Sequence, residues 1–183
     1  MRKYYELFDE LAIPDRWHLG ELLSVDDREP HLTAGVRYGG GPLRAVVSSG
    51  SVELDFCLTS FAVPVARSSV AAAIERLAGE DVERIALRIP GRTGFEALNV
   101  LRVVECLDER RSDFIKWTAH DHRADLAGQY RQVTNLRVSV ESIPESAHIF
   151  RIGGWKIAIV VSEALKSEIE RAGSHGATFT DVT

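Results

Sequence analysis

No apolar run in this sequence approaches the roughly 18 residues that a membrane-spanning helix needs. The start, Met1-Arg2-Lys3-Tyr4-Tyr5-Glu6-Leu7-Phe8-Asp9, carries positive charge but no apolar stretch after it, so it does not read as a secretory signal. A soluble, cytoplasmic protein without a membrane partner is expected. Cysteine is scarce as well. Cys57 and Cys106 lie far apart inside apolar stretches, which fits two buried, reduced thiols better than a disulfide or a metal pair. There is no excess of basic residues: 22 Lys and Arg stand against 27 Asp and Glu, for a net charge of −5. With no basic stripe to neutralise phosphates, nucleic acid is not an expected partner. Signatures of catalysis are missing too. No G-x-S-x-G elbow occurs, and neither Gly39-Gly40-Gly41 nor Gly153-Gly154 leads into the Gly-Lys-Ser/Thr of a phosphate loop. The expectation is a protein that is not an enzyme and has no catalytic residue, cofactor or resident metal.

What is present is the material for one core. The 183 residues are 45% hydrophobic, with the 27% charged residues spread along the whole length, so a single domain over residues 1–183 is expected. The fold class reads as α+β, a mostly antiparallel or mixed sheet with two main helices at about 68–78 and 162–172. In the first helix Val70, Ile74 and Leu77 form a stripe between Ser68, read as the N-cap, and Gly79, read as the stop. In the second, Leu165, Ile169 and Ala172 follow Ser162 and precede Gly173. Both units run apolar strand, Ser, helix, Ala-Gly, strand, a likeness that shared capping chemistry explains without invoking a repeat.

The strands are read from alternation and turn residues. Residues 4–8 suggest an opening or edge strand and residues 17–23 a second. Residues 24–41, rich in Asp, Glu, Gly and Pro, read as a long surface loop. Residues 43–47 and 52–58 suggest a hairpin-like pair across Ser48-Ser49-Gly50-Ser51, and strands are expected at 61–65 and 84–89. The run 95–107 has apolar residues on both faces and reads as a central strand. Residues 112–118 are expected to pair with it across a charged turn. The polar stretch 119–128 reads as a loop, residues 129–140 as extended. His148 to Trp155 reads as a strand and tight turn, followed by a buried strand over 157–161 and a last one at Thr178-Phe179.

One cluster invites a chemical reading. His120-Asp121-His122, with Asp125 close behind, would put two imidazoles on one face if it were a strand. A metal site also needs a third ligand and a rigid support, and the polar flanks favour a solvated loop. Trp17, Trp117 and Trp155, with Tyr4, Tyr5 and Tyr130, offer either core packing or rigid anchors for a partner.

Taken in order, several short motifs resemble the bacterial polymorphic-toxin immunity proteins of the family numbered eleven, common in myxobacteria. They are Tyr4-Tyr5-Glu6-Leu7-Phe8-Asp9, Ile13-Pro14-Asp15-Arg16-Trp17, Leu98-Asn99-Val100-Leu101-Arg102-Val103-Val104 and Cys106-Leu107-Asp108. Ser112, Trp117, Tyr130, Leu136-Arg137, Ile149-Phe150-Arg151, Trp155, Val161-Ser162-Glu163-Ala164-Leu165-Lys166, Gly176 and Phe179 continue the pattern. Residues 25–60 stand outside it. The resemblance implies an α+β protein that binds and neutralises a cognate toxin in the cytoplasm by protein–protein interaction, with no catalytic site or cofactor. Partner choice would then rest with exposed segments, and Asp26, Asp27, Glu29, Trp117, Asp121 and Arg123 are the expected contacts. A small metal-dependent hydrolase using His120 and His122 is the alternative from another class. A homodimer through an exposed strand edge is a third possibility beside a monomer.

Overall fold

Ile85, Leu87 and Ile89 are buried while Ala86 and Arg88 between them are exposed, the two-residue period of a strand with one covered face. The computed structural model, which describes residues 2–183, has fourteen strands among these residues. They are β1 (Tyr4–Asp9), β2 (His18–Leu19), β3 (Leu43–Arg44), β4 (Val47–Ser49), β5 (Phe56–Leu58), β6 (Pro64–Arg67), β7 (Val82–Ile89) and β8 (Arg92–Val100). Then follow β9 (Val103–Val104), β10 (Asp113–Lys116), β11 (Tyr130–Thr134), β12 (Ile149–Ile152), β13 (Trp155–Ser162) and β14 (Ala177–Asp181). The helices are α1 (Ser68–Ala78) and α2 (Glu163–Arg171), as the apolar stripes require, so the fold is α+β.

Two five-stranded sheets carry the architecture, in the orders β3-β7-β8-β6-β5 and β14-β1-β13-β12-β9, beside the ribbons β10-β11 and β2-β4. Their connections correspond. In the first sheet, the antiparallel pair β5 and β6 leads through α1 to β7, and β8 fills the place between β6 and β7. In the second, β12 and β13 lead through α2 to β14, and the place between β13 and β14 is filled by β1, from the far end of the sequence. The likeness seen in the two helical units therefore extends to the strands around them.

One apolar cluster draws on both helices and both sheets, including Leu7, Phe56, Ile74, Leu98, Ile149 and Ile169. Each sheet's other face is covered by an irregular segment. Trp17, Leu22 and Leu32 pack over the first sheet, while Leu136, Val138 and Ile143 pack over the second. Arg151, with no exposed surface, ties the layers together by donating to Lys156 O (2.6 Å) and to Ala62 O (3.0 Å). Burial without a carboxylate partner pulls its guanidinium down to about 10. Both cysteines are buried and free, and burial pushes each thiol up to about 12.

Several expected pairings are corrected. Strand β1 is interior to its sheet, bonded on both sides, and is not an edge. The run 95–107 is two strands in two sheets. The chain leaves the first sheet after Val100, where Leu101 N bonds Asp81 O (2.8 Å), and Arg102 O accepts from Arg151 N (2.9 Å) as β9 begins. An ion pair from Arg102 Nε to Asp81 Oδ1 at 2.6 Å fixes this crossing. Strand β10 pairs with β11 downstream, so the charged turn before it is not a hairpin. Residues 43–47 and 52–58 also form no hairpin: β3 lies parallel to β7, β4 pairs with β2, and β5 pairs with β6. Only His18–Leu19 of the expected strand 17–23 is regular. Ser162 caps α2 by accepting from Leu165 N (3.2 Å), whereas Ser68 is already the first residue of α1. Arg67 occupies the cap position because it is still paired to Phe95 in the sheet.

Glu6 lies mid-strand between Val160 and Thr180, and burial pushes its carboxyl up to about 7. The folded state thus holds a proton that the unfolded chain releases near the usual 4.5, and stability is lost as pH rises between those values. Replacing Glu6 by Gln should stabilise the protein by about 1 to 3 kcal/mol at about pH 8, and the gain should vanish by about pH 4. Urea unfolding of both proteins at the two pH values checks this.

Candidate functional site

Between β1 and β6 the chain has only short strands, because Gly, Pro, Asp and Ser interrupt every apolar run. It is nonetheless tightly anchored. Trp17 N donates to Val52 O (2.8 Å) and Val52 N to Asp15 O (2.9 Å), and the backbones approach so closely that a Cβ on Gly50 would lie 1.9 Å from Arg16 O. Only glycine fits there. Arg16, 5% exposed, pairs with Asp9, while its Nε and Nη1 meet no protein acceptor.

This anchored segment carries four depressions, each sharing lining residues with the next. The first, about 430 Å³, is walled by residues 24–38, with Leu32 in its floor and Asp26, Glu29, Val36 and Tyr38 around it. The second, about 70 Å³, shares Glu29 through Leu32 with the first and reaches Thr59 and Phe61. The third, about 290 Å³, shares Thr59 and continues past Ala62 to Leu11, Arg16 and His18. Those last three residues also line the fourth, about 320 Å³. The result is a trough across the loops 11–18, 24–38 and 59–63. Along it stand apolar side chains that face solvent: Leu11 is 74% exposed, Val36 66% and Phe61 49%.

Asp26 and Glu29 are exposed in the wall of the first depression, and Asp27 beside them is paired with Arg44. Trp117, Asp121 and Arg123 lie elsewhere, on the turn that joins β10 to β11. Trp117 stacks beneath Arg131 (5.2 Å) and meets the His122 ring edge-on (5.2 Å). Asp121 accepts from Thr118 N (2.7 Å) and Thr118 Oγ1 (2.8 Å), bonds that hold its carboxyl below the ordinary value. Arg123 is engaged bidentately with Asp125 at 2.9 and 2.7 Å. The six expected contacts thus fall on two surfaces, since the covers of the two sheets are separate segments.

The turn also decides the histidine pair. His120 is exposed, His122 leans on Trp117, and neither lies in a strand that would align the imidazoles. Among the described residues no group of three or more His, Cys, Asp or Glu side chains could hold a metal ion. Sequence reasoning missed the ladder at the base of this ribbon. Lys116 sits 5.4 Å from the Phe114 ring and 5.0 Å from the Tyr130 ring, and Glu109 bonds both Lys116 (2.5 Å) and Tyr130 Oη (2.6 Å). The alternation of Phe114 and Lys116 was the visible signal, but their cross-strand partner is nonlocal.

Residues 97–183 match the model of the Immunity protein family (Imm11). The resemblance read from the sequence is borne out over this part of the chain, while the motifs at 4–9 and 13–17 lie outside the match. No curated protein matches the chain. No helix among the described residues is long and apolar enough to cross a membrane. The Imm11-matched part holds β9 to β14 and α2, whereas the residues lining the trough all precede it in sequence.

The matched part also lacks the strand between β13 and β14. Residues 97–183 expressed alone should therefore show no cooperative thermal unfolding and a poorly dispersed amide spectrum, while the full chain shows both cooperativity and dispersion. A well-dispersed spectrum from the fragment would contradict the role given to β1.

Proposed function

We propose that this protein is an immunity protein that binds a cognate polymorphic toxin in the cytoplasm and neutralises it by protein–protein contact, without bond-making chemistry of its own. The whole chain acts as one domain, as a monomer or a homodimer. The trough carries this reading. It combines solvent-facing Leu11, Val36 and Phe61 with a charged rim that includes Asp26 and Glu29, the pattern of an apolar patch edged by polar groups. Its position outside the Imm11-matched part supports it further, because a shared scaffold with a separate contact surface lets partner choice vary without disturbing the fold. An interface of about 1,600 Å² in total would cover the trough and its rim. Trp117, Asp121 and Arg123 supply a second, smaller contact at the ribbon turn.

The test uses a cognate toxin, identified by capture on this chain from its native host. Phe61→Asp should weaken its binding by about 10- to 100-fold in a titration, as expected for an anchor at the middle of an interface. Ala164→Lys, at an exposed position on α2, which lines neither the trough nor the ribbon turn, should leave the affinity within about threefold. Unchanged binding by Phe61→Asp would place the interface elsewhere.

A further inference from the structure

The strand pair under the trough contains a polar couple that the core does not need. Glu83 on β7 and Asn99 on β8 are direct cross-strand partners. Asn99 has no exposed surface, in a central strand where an aliphatic side chain would be the simpler way to gain stability. Its Nδ2 donates to Glu83 Oε2 (2.8 Å) and to Val36 O (2.9 Å). Glu83 accepts in turn from Tyr38 N (2.8 Å) and Gly39 N (3.4 Å). Burial raises the Glu83 carboxyl, but the Tyr38 amide, the Asn99 side chain, the Gly39 amide and the nearby Arg37 outweigh it and hold the group below its ordinary value.

Three of these four bonds run from the sheet to the backbone of one loop, the fourth joins the two side chains, and two further contacts pin the same segment. Lys156 Nζ donates to Ala34 O (3.2 Å). Gly35, at φ 78, lies so close to the crossing from β8 to β9 that an added Cβ would stand 2.7 Å from Val103 Cγ2 and 3.0 Å from Leu101 O. With its backbone held down, the segment turns side chains outward, and Val36 is 66% exposed at the first depression.

We propose that Glu83 and Asn99 are positioning residues that clamp residues 36–39 in the shape the toxin recognises, so that the trough docks its partner as a preformed surface. This rests on the toxin-binding reading. A loop fixed before the encounter loses less conformational freedom on binding, and that saving appears mainly as slower dissociation. The specificity of the loop can then change through its outward side chains while the sheet holds its path.

Glu83 is partly exposed, so Glu83→Ala should fold, and hydrogen exchange read together with toxin dissociation tests the clamp. In the full-length variant, exchange at Tyr38 and Gly39 should speed up by about tenfold or more while the protection of α2 is unchanged, and the toxin off-rate should rise by about tenfold. Glu83→Gln, which keeps an acceptor for Tyr38 N, should fall between the wild type and Glu83→Ala in both readouts. Unchanged exchange, or faster exchange with a wild-type off-rate, overturns the clamp. A wild-type chain that captures no toxin sinks the neutralisation reading itself, a result separate from either of these.

Discussion

The architecture depends on one strand insertion. Residues 4–9 pair on one side with β13 and on the other with β14, so the N-terminal strand fills the gap opened by the crossover through α2. Without it, two strands that are not neighbours in the sheet would each present an unpaired edge, and unpaired backbone groups under an apolar layer are costly. The strand also brings Leu7 into the cluster shared by both helices and both sheets. Next in sequence come Asp9, which pairs with Arg16, and Leu11, which rims the trough, so the same insertion places the start of the candidate surface.

The layered order then accounts for where the surfaces lie. With the inner faces of both sheets committed to the shared core, each outer face must be closed by segments too irregular to add strands. Residues 17–42 do this for the first sheet by burying Trp17, Leu22 and Leu32, and what lies between these anchors stays open as the trough. The second sheet is closed by the stretch that includes Leu136, Val138 and Ile143, beside a ribbon stiffened by Lys116, Phe114 and Tyr130. Rigid anchoring and exposed apolar side chains in one segment are the ingredients of a preformed recognition surface.

Local signals were legible in the sequence and nonlocal ones were not. Both helices stand where their stripes and glycines place them, because helix periodicity and termination depend on neighbours within a turn or two. The long irregular loop was legible for the same reason, and with it the exposure of Asp26, Asp27 and Glu29. Strand partners were not. The alternation through 95–107 continues unbroken across Leu101 and Arg102, and only Asp81 and Arg151, distant in sequence, reveal that the chain changes sheets there. The trough was equally hidden, since its walls come from three loops that β1 and the Arg16 to Val52 contacts bring together. Asn99 gave a readable hint, an amide inside an apolar run, but its partner Glu83 becomes visible only with the strand register.

The central proposal is that the loop-built trough is where a cognate toxin docks. Amide exchange of the full chain, measured with and without a toxin that the chain captures from its native host, tests this most directly. Slowed exchange concentrated at residues 29–38 and 59–62 on complex formation is the predicted result. Protection confined to the ribbon turn at 117–129, with the trough exchanging as in the free protein, would contradict it.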